Sequence, residues 1–140
     1  DLFARRFIPS LAERLDRRFM LLDYNITQPS FIPFLSGSFM LFKSSVLLSL
    51  DGFDERYFMY LEDIDLSRRC AERFGNCYLP NCVVVHEHQQ ASYSNPKLRN
   101  IHIQSAIRYF NKWGWLLDNG RKTLNRRCLR SLEGQQKTKP

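Results

Sequence analysis

Apolar positions recur at helical spacing in three stretches of this chain. Leu11, Leu15, Phe19 and Leu22 stand three and four residues apart and predict a helix over 10–22, with Ser10 as its cap and Glu13 completing a capping box. Leu61, Ile64, Ala71 and Phe74 share one face of a second helix, which starts near Leu61 or Glu62 and stops at Gly75. Ile103, Ala106, Ile107, Phe110 and Trp113 form the stripe of a third, opened by Asn95-Pro96 and running to about Trp113. Ser44 to Leu50 predicts a short helix, broken by Asp51-Gly52. Two apolar runs predict strands: Ser38 to Phe42, entered through Gly37, and the β-branched Tyr78 to Val85. The prolines at 29 and 33 mark residues 24–36 as a loop. The order helix, strand, helix, strand, helix predicts an α/β layer arrangement, with too few strands for a complete sheet.

At 140 residues, with 44% hydrophobic and 14% aromatic residues, the chain has the size and composition of one folded domain. Its net charge of +7 is unevenly placed. Arg5, Arg6, Arg14, Arg17 and Arg18 crowd one end, and Arg121, Lys122, Arg126, Arg127, Arg130, Lys137 and Lys139 the other. Such ends attract anionic lipid, nucleic acid or phosphorylated substrates, or are simply solvated. No nucleic-acid-binding motif accompanies them, and basic charge alone is a weak signal for one. Cys70, Cys77, Cys82 and Cys128 form no CxxC pair and read as reduced thiols of a cytosolic protein. The uncharged run from Tyr24 to Phe42 holds two prolines and six polar side chains, which argues against a spanning helix. No signal peptide and no initiating methionine are visible, so the expectation is a fragment or the tail end of something larger.

Candidate chemistry concentrates in residues 52–69. Asp54, Glu55, Glu62, Asp63 and Asp65 fall within twelve residues, interleaved with aromatics. Glu62, Asp63 and Asp65 occupy the first turn of the second predicted helix, where the helix dipole favours carboxylates. That placement explains the acids structurally, and it also suits a general base beside aromatic faces on which a sugar can pack. His86-Glu87-His88 follows the second predicted strand, where site loops emerge in α/β proteins. Two histidines alone are a weak metal signal, and a polar loop entry explains them as well. Arg99, Arg108 and Lys112, with Tyr109 and Trp113, give the third helix a basic face. No P-loop, glycine-rich phosphate loop or GxSxG is present.

Taken in order, Gly37-Ser38-Phe39-Met40, Gly52-Phe53-Asp54-Glu55, Phe58-Met59-Tyr60-Leu61-Glu62-Asp63-Ile64-Asp65-Leu66, Arg68 or Arg69, Gly75 and Val85-His86 resemble the C-terminal, acceptor-side half of family 2 glycosyltransferases. Within that family the chain looks most like bacterial rhamnosyltransferases of O-antigen and other surface polysaccharides. The resemblance runs from about Pro33 to Trp113. It implies a partial GT-A fold, the C-terminal half of a mixed sheet with flanking helices, and inverting transfer from a nucleotide-sugar donor, dTDP-rhamnose, to a lipid-linked GlcNAc acceptor.

Carried over residue by residue, the resemblance makes Asp63 the base. Gly37, Ser38, Glu62 and Asp65 line or bind the acceptor, and His86 helps hold a divalent metal, Mg²⁺ or Mn²⁺. It implies a site of action at the cytoplasmic face of the inner membrane, peripheral to it, with an anionic membrane surface as a partner and no nucleic acid. The Asp-x-Asp donor motif of the family has no counterpart in the chain. The expectation is therefore a truncated fragment, inactive and without bound metal on its own. The alternative is a non-catalytic remnant or a module that packs on a membrane or a partner. The implied division is a helical segment and linker over 1–30, the acceptor-side region over 31–118 and a basic, fraying tail over 119–140.

Overall fold

The computed structural model describes residues 9–86 and 95–136. Over these residues the chain forms five helices: α1 (Pro9–Phe19), α2 (Ser44–Ser49), α3 (Glu62–Arg73), α4 (Pro96–Trp113) and α5 (Asn119–Gln136). The expected α/β fold with part of a GT-A sheet is not what the chain adopts, because no sheet forms among the described residues. One isolated antiparallel bridge joins Ser30 to Tyr78, through N–H···O bonds of 3.0 and 2.8 Å.

The two expected strands fail for a common reason. A strand satisfies its backbone only by pairing with a neighbour. Residues 38–42 and 79–85 form no strand ladder among the described residues, and Leu41 is 88% and Val85 94% exposed. An apolar run therefore reads as a strand by composition yet forms no ladder, and residues 79–82 turn instead, the Cys82 N–H bonding to the Leu79 carbonyl at 3.1 Å.

The helices follow their local signals closely. Asn95 caps α4 by accepting from the N–H groups of Lys97 and Leu98, with Pro96 in the first turn. Gly75, at φ +92°, takes the left-handed conformation that closes α3, its N–H bonding to the Cys70 carbonyl. The largest departure is α5, which replaces the expected fraying tail as far as Gln136. Leu124, Cys128 and Leu132 recur every fourth residue and are buried. Cys128 and Leu132 pack with Ile32, and Leu21, Tyr24, Ile26, Phe31 and Leu35 surround them. A second cluster, Leu50, Leu66 and Cys70 with Phe42, Val46 and Leu47, seats α2 against α3.

Polar contacts lock α3 at the centre. Arg68 and Asp118, 2% and 3% exposed, form a two-pronged ion pair of 2.6 and 2.7 Å, and the Arg68 guanidinium lies 3.9 Å from the centre of the Trp113 ring. Ser67, fully buried, accepts from the Leu35 N–H at 2.8 Å. Asn76 donates to the Pro33 carbonyl and to both oxygens of Ser67. These bonds fix residues 33–37 along the N-terminal half of α3.

Candidate active site

The turn entering α3 is built under strain. Tyr60 and Leu61 are consecutive non-glycine residues at φ +68° and +66°. Each such residue costs on the order of 1–2 kcal/mol. The surroundings hold the turn in place: the Ser105 hydroxyl donates to the Met59 carbonyl at 2.8 Å, and the Tyr60 ring stacks on His102 with centroids 4.6 Å apart. Burial holds the His102 imidazole below the usual histidine range, and its Nδ1 is buried without a hydrogen-bond partner.

This turn sets Asp63 in the first turn of α3, facing Gly37. The Gly37 N–H donates to Asp63 Oδ2 at 2.7 Å, and the Ile64 N–H donates to Oδ1 at 2.8 Å. One backbone donor on each oxygen fixes the carboxylate and leaves lone pairs on both for a ligand. The approach is so close that a Cβ on residue 37 would lie 2.7 Å from Asp63 Cβ. Only glycine fits there. Ser38 stands beside it, exposed, with its hydroxyl 3.1 Å from that of Ser36.

Glu62 lies partly buried next to Asp63. Burial pushes its carboxyl up, with a further push from the Asp63 charge, and Oε2 is buried with no hydrogen-bond partner. An unsatisfied buried oxygen costs roughly 1–3 kcal/mol, which a ligand hydroxyl would recover.

Asp65 is placed differently. It is 0% exposed, and its oxygens are taken by Arg69 at 2.8 Å, Lys112 at 2.7 Å and the Trp113 indole N–H at 2.8 Å. Lys112 also reaches Asp54 at 2.8 Å, and Arg56 grips Asp54 with two nitrogens at 2.8 and 2.6 Å. The Arg56 guanidinium, helped by Lys112, holds the Asp54 carboxyl well below the usual carboxylate range. Burial, with the nearby Asp65 charge, pushes the Tyr57 hydroxyl up to about 12.

The structure thus brings Gly37 and Asp63 into contact, with Glu62 and Ser38 as their chain neighbours, and places Asp65 in an ion network with α4. His86 is exposed, while Glu87 and His88 lie outside the described residues. Among the described residues no three His, Cys, Asp or Glu side chains come close enough to hold a metal ion. Among them, no helix is long and apolar enough to cross a membrane.

Sequence reasoning missed the residues that position the site. Ser67, Asn76 and His102 carry no motif. Lys112 and Trp113 stood out only as parts of a basic face and an apolar stripe, and their shared partner, Asp65, lies far back in the chain.

A carboxylate gripped by backbone on a helix start, beside a buried unsatisfied acid, is a site able to receive a hydroxyl and its proton. Over part of its length the chain is similar to bacterial rhamnosyltransferases, which makes it rhamnosyltransferase-like. One is the N-acetylglucosaminyl-diphospho-decaprenol L-rhamnosyltransferase of Mycobacterium tuberculosis (strain ATCC 25618 / H37Rv), 39% identical over 66 residues, which are 46% of this chain and 22% of the relative. Another is the rhamnosyltransferase WbbL of Escherichia coli (strain K12), 34% identical over 88 residues, 61% of this chain and 33% of the relative. The chain thus spans only about a fifth to a third of the length of these curated relatives. No family model and no solved structure matches it.

Proposed function

We propose that this chain is the acceptor-side part of an inverting glycosyltransferase that moves rhamnose from dTDP-rhamnose to a lipid-linked N-acetylglucosamine during surface-polysaccharide synthesis. The observation that carries this reading is the Asp63 carboxylate, held by the Gly37 N–H at 2.7 Å in a chain similar to rhamnosyltransferases. Asp63 accepts the proton of the acceptor hydroxyl as that oxygen attacks the anomeric carbon of the donor. The new glycosidic C–O bond forms while the bond to the nucleoside diphosphate breaks, and its electron pair leaves with the diphosphate. The fixed carboxylate needs no reorientation at that moment.

Glu62 gives the acceptor a second anchor, because an acceptor hydroxyl would satisfy its buried Oε2. Asp65 acts through structure, tying α3 to α4 through Lys112 and Trp113. The mycobacterial relative's name supplies the acceptor class, a sugar on a diphospho-prenol. The basic residues of α1 and α5 suit an anionic membrane surface at the cytoplasmic face of the inner membrane.

Acceptor capture tests the reading. The 140-residue chain is offered N-acetylglucosaminyl-diphospholipid in nanodiscs, and retention is compared with that of Glu62→Gln. We expect capture by the native chain and weaker capture by the variant, and capture unchanged by the substitution would overturn Glu62's role. The exposed Leu41 and Val83-Val84-Val85 favour a second reading, a non-catalytic module that packs on a partner. Rhamnose transfer that depends on Asp63 would exclude it.

A further inference from the structure

The strained turn before α3 has no local support. Leu61 stands at the cap position of the helix, yet it is left-handed at φ +66° and makes no side-chain cap bond. Tyr60 before it is left-handed too, at φ +68°. Caps normally take extended backbone, and among residues with a side chain only Asn and Asp enter the left-handed region with any ease. Left to itself this turn would relax, and Asp63, two residues further on, would leave its place against Gly37.

Support comes from α4, where one row of side chains holds the 54–60 segment in reverse order. The His102 ring stacks on Tyr60 with centroids 4.6 Å apart. The Ser105 hydroxyl donates to the Met59 carbonyl, Arg108 donates to the Arg56 carbonyl, and Lys112 reaches the Asp54 carboxylate, each at 2.8 Å. Residues 102, 105, 108 and 112 stand three and four apart and so share one face of the helix. These anchors fix a segment that lies between helices and belongs to none of them. Ser105 is the central anchor. It is 0% exposed, and its partner is the backbone carbonyl directly before the two left-handed residues.

We propose that this row of α4 is a clamp that sets where α3 begins, and that Ser105 is a positioning residue for Asp63. Its bond to Met59 holds the left-handed turn, and the turn holds the Asp63 carboxylate against the Gly37 N–H. The inference rests on the acceptor-side reading only for its consequence in catalysis, because the Gly37 contact can be followed without any substrate.

Amide hydrogen exchange at Gly37 in the full 140-residue chain tests it. Ser105→Ala takes the donor from the Met59 carbonyl and is expected to speed exchange of the Gly37 N–H by roughly tenfold. Leu61→Gly removes the penalty of the left-handed backbone. In that background Ser105→Ala is expected to speed exchange by only about threefold or less, whereas a serine that served stability alone would act equally in both. Arg108→Ala, at an exposed position that tolerates truncation, is expected to speed exchange by roughly threefold, which keeps the clamp testable if Ser105→Ala does not fold. Gln104→Ala, exposed on α4 outside the row, leaves exchange unchanged. In rhamnose transfer by the protein as encoded, Ser105→Ala lowers kcat by roughly tenfold or more. The proposal is overturned if Ser105→Ala or Arg108→Ala leaves Gly37 exchange as in the native chain, if Leu61→Gly does not reduce the effect of Ser105→Ala, or if Gln104→Ala has an equal effect. If Gly37 responds as expected while Asp63→Asn leaves rhamnose transfer intact, the base assignment falls and the clamp stands; if Gly37 does not respond and Asp63 is essential, the reverse holds.

Discussion

Replacing Gly37 with alanine adds one methyl group where the structure has no room for it. The new Cβ would lie 2.7 Å from Asp63 Cβ, 3.1 Å from Oδ2 and 3.3 Å from Cγ, whereas ordinary contact begins at 3.4 Å. The loop must open by about 0.7 Å to relieve the closest of these contacts. Moving by that amount along the bond direction, the 2.7 Å hydrogen bond from the residue 37 N–H to Asp63 Oδ2 would stretch to about 3.4 Å, beyond the usual limit of ~3.2 Å. Residue 37 is exposed, so the loop can yield. The expected stability loss is therefore at the low end of the ~1–3 kcal/mol typical of overpacking.

The larger effect falls on chemistry, because a carboxylate misplaced by close to 1 Å costs on the order of 10²-fold in rate. The assay pairs rhamnose transfer by the protein as encoded in its natural frame with the thermal midpoint of the same variant. A large fall in transfer with a small fall in Tm is expected. Transfer within twofold of native would refute the argument that the Gly37–Asp63 contact positions the base.

The remaining predictions concern what holds the site in place. Asp118→Ala removes the two-pronged partner of buried Arg68 and leaves it only Glu72 at 3.0 Å, and is expected to cost about 3 kcal/mol, the low end for a broken buried pair, read as a shift of the urea midpoint. Ser67→Ala frees the Leu35 N–H and part of Asn76, for about 1–3 kcal/mol by the same measurement. The Arg68 guanidinium holds the Asp118 carboxyl below its usual range, so this contribution is present above the unfolded value of about 3.9 and disappears as pH falls through the lower folded value. Asp54 behaves alike, and in a series of melts its contribution should be lost only below ~4. His102 is also depressed, by burial, so its part is present above ~6.5 and lost as pH falls below it, and His102→Phe should flatten that segment of the curve.

Helix starts were the most legible part of the fold. Asn95-Pro96 and the acids at 62–65 announced α4 and α3 because caps act locally, within one turn. α5 was hidden because its stripe of Leu124, Cys128 and Leu132 is thin and set among cations, and only the cluster around Ile32 makes it pay to fold. The expected strands at 38–42 and 78–85 were misleading for the opposite reason: their composition is right, but pairing is a property of neighbours and not of the run itself.

Within the site, Asp63 and Gly37 were both picked out by resemblance to a family motif, yet nothing in their separation of 26 residues announces a 2.7 Å contact. Asp65 shows the limit of a motif. It shares the helix turn of Asp63, and its burial among Arg69, Lys112 and Trp113 depends on α4, which comes thirty or more residues later.

The most direct test of the account is single-turnover rhamnose transfer by Asp63→Asn in the protein as encoded, with dTDP-rhamnose binding measured on the same preparation. The substitution keeps an oxygen for the Gly37 N–H and removes the basic carboxylate. The account predicts donor binding within a few-fold of native and transfer reduced by at least about 10²-fold. Transfer at near-native rate with the donor bound would show that the base lies elsewhere.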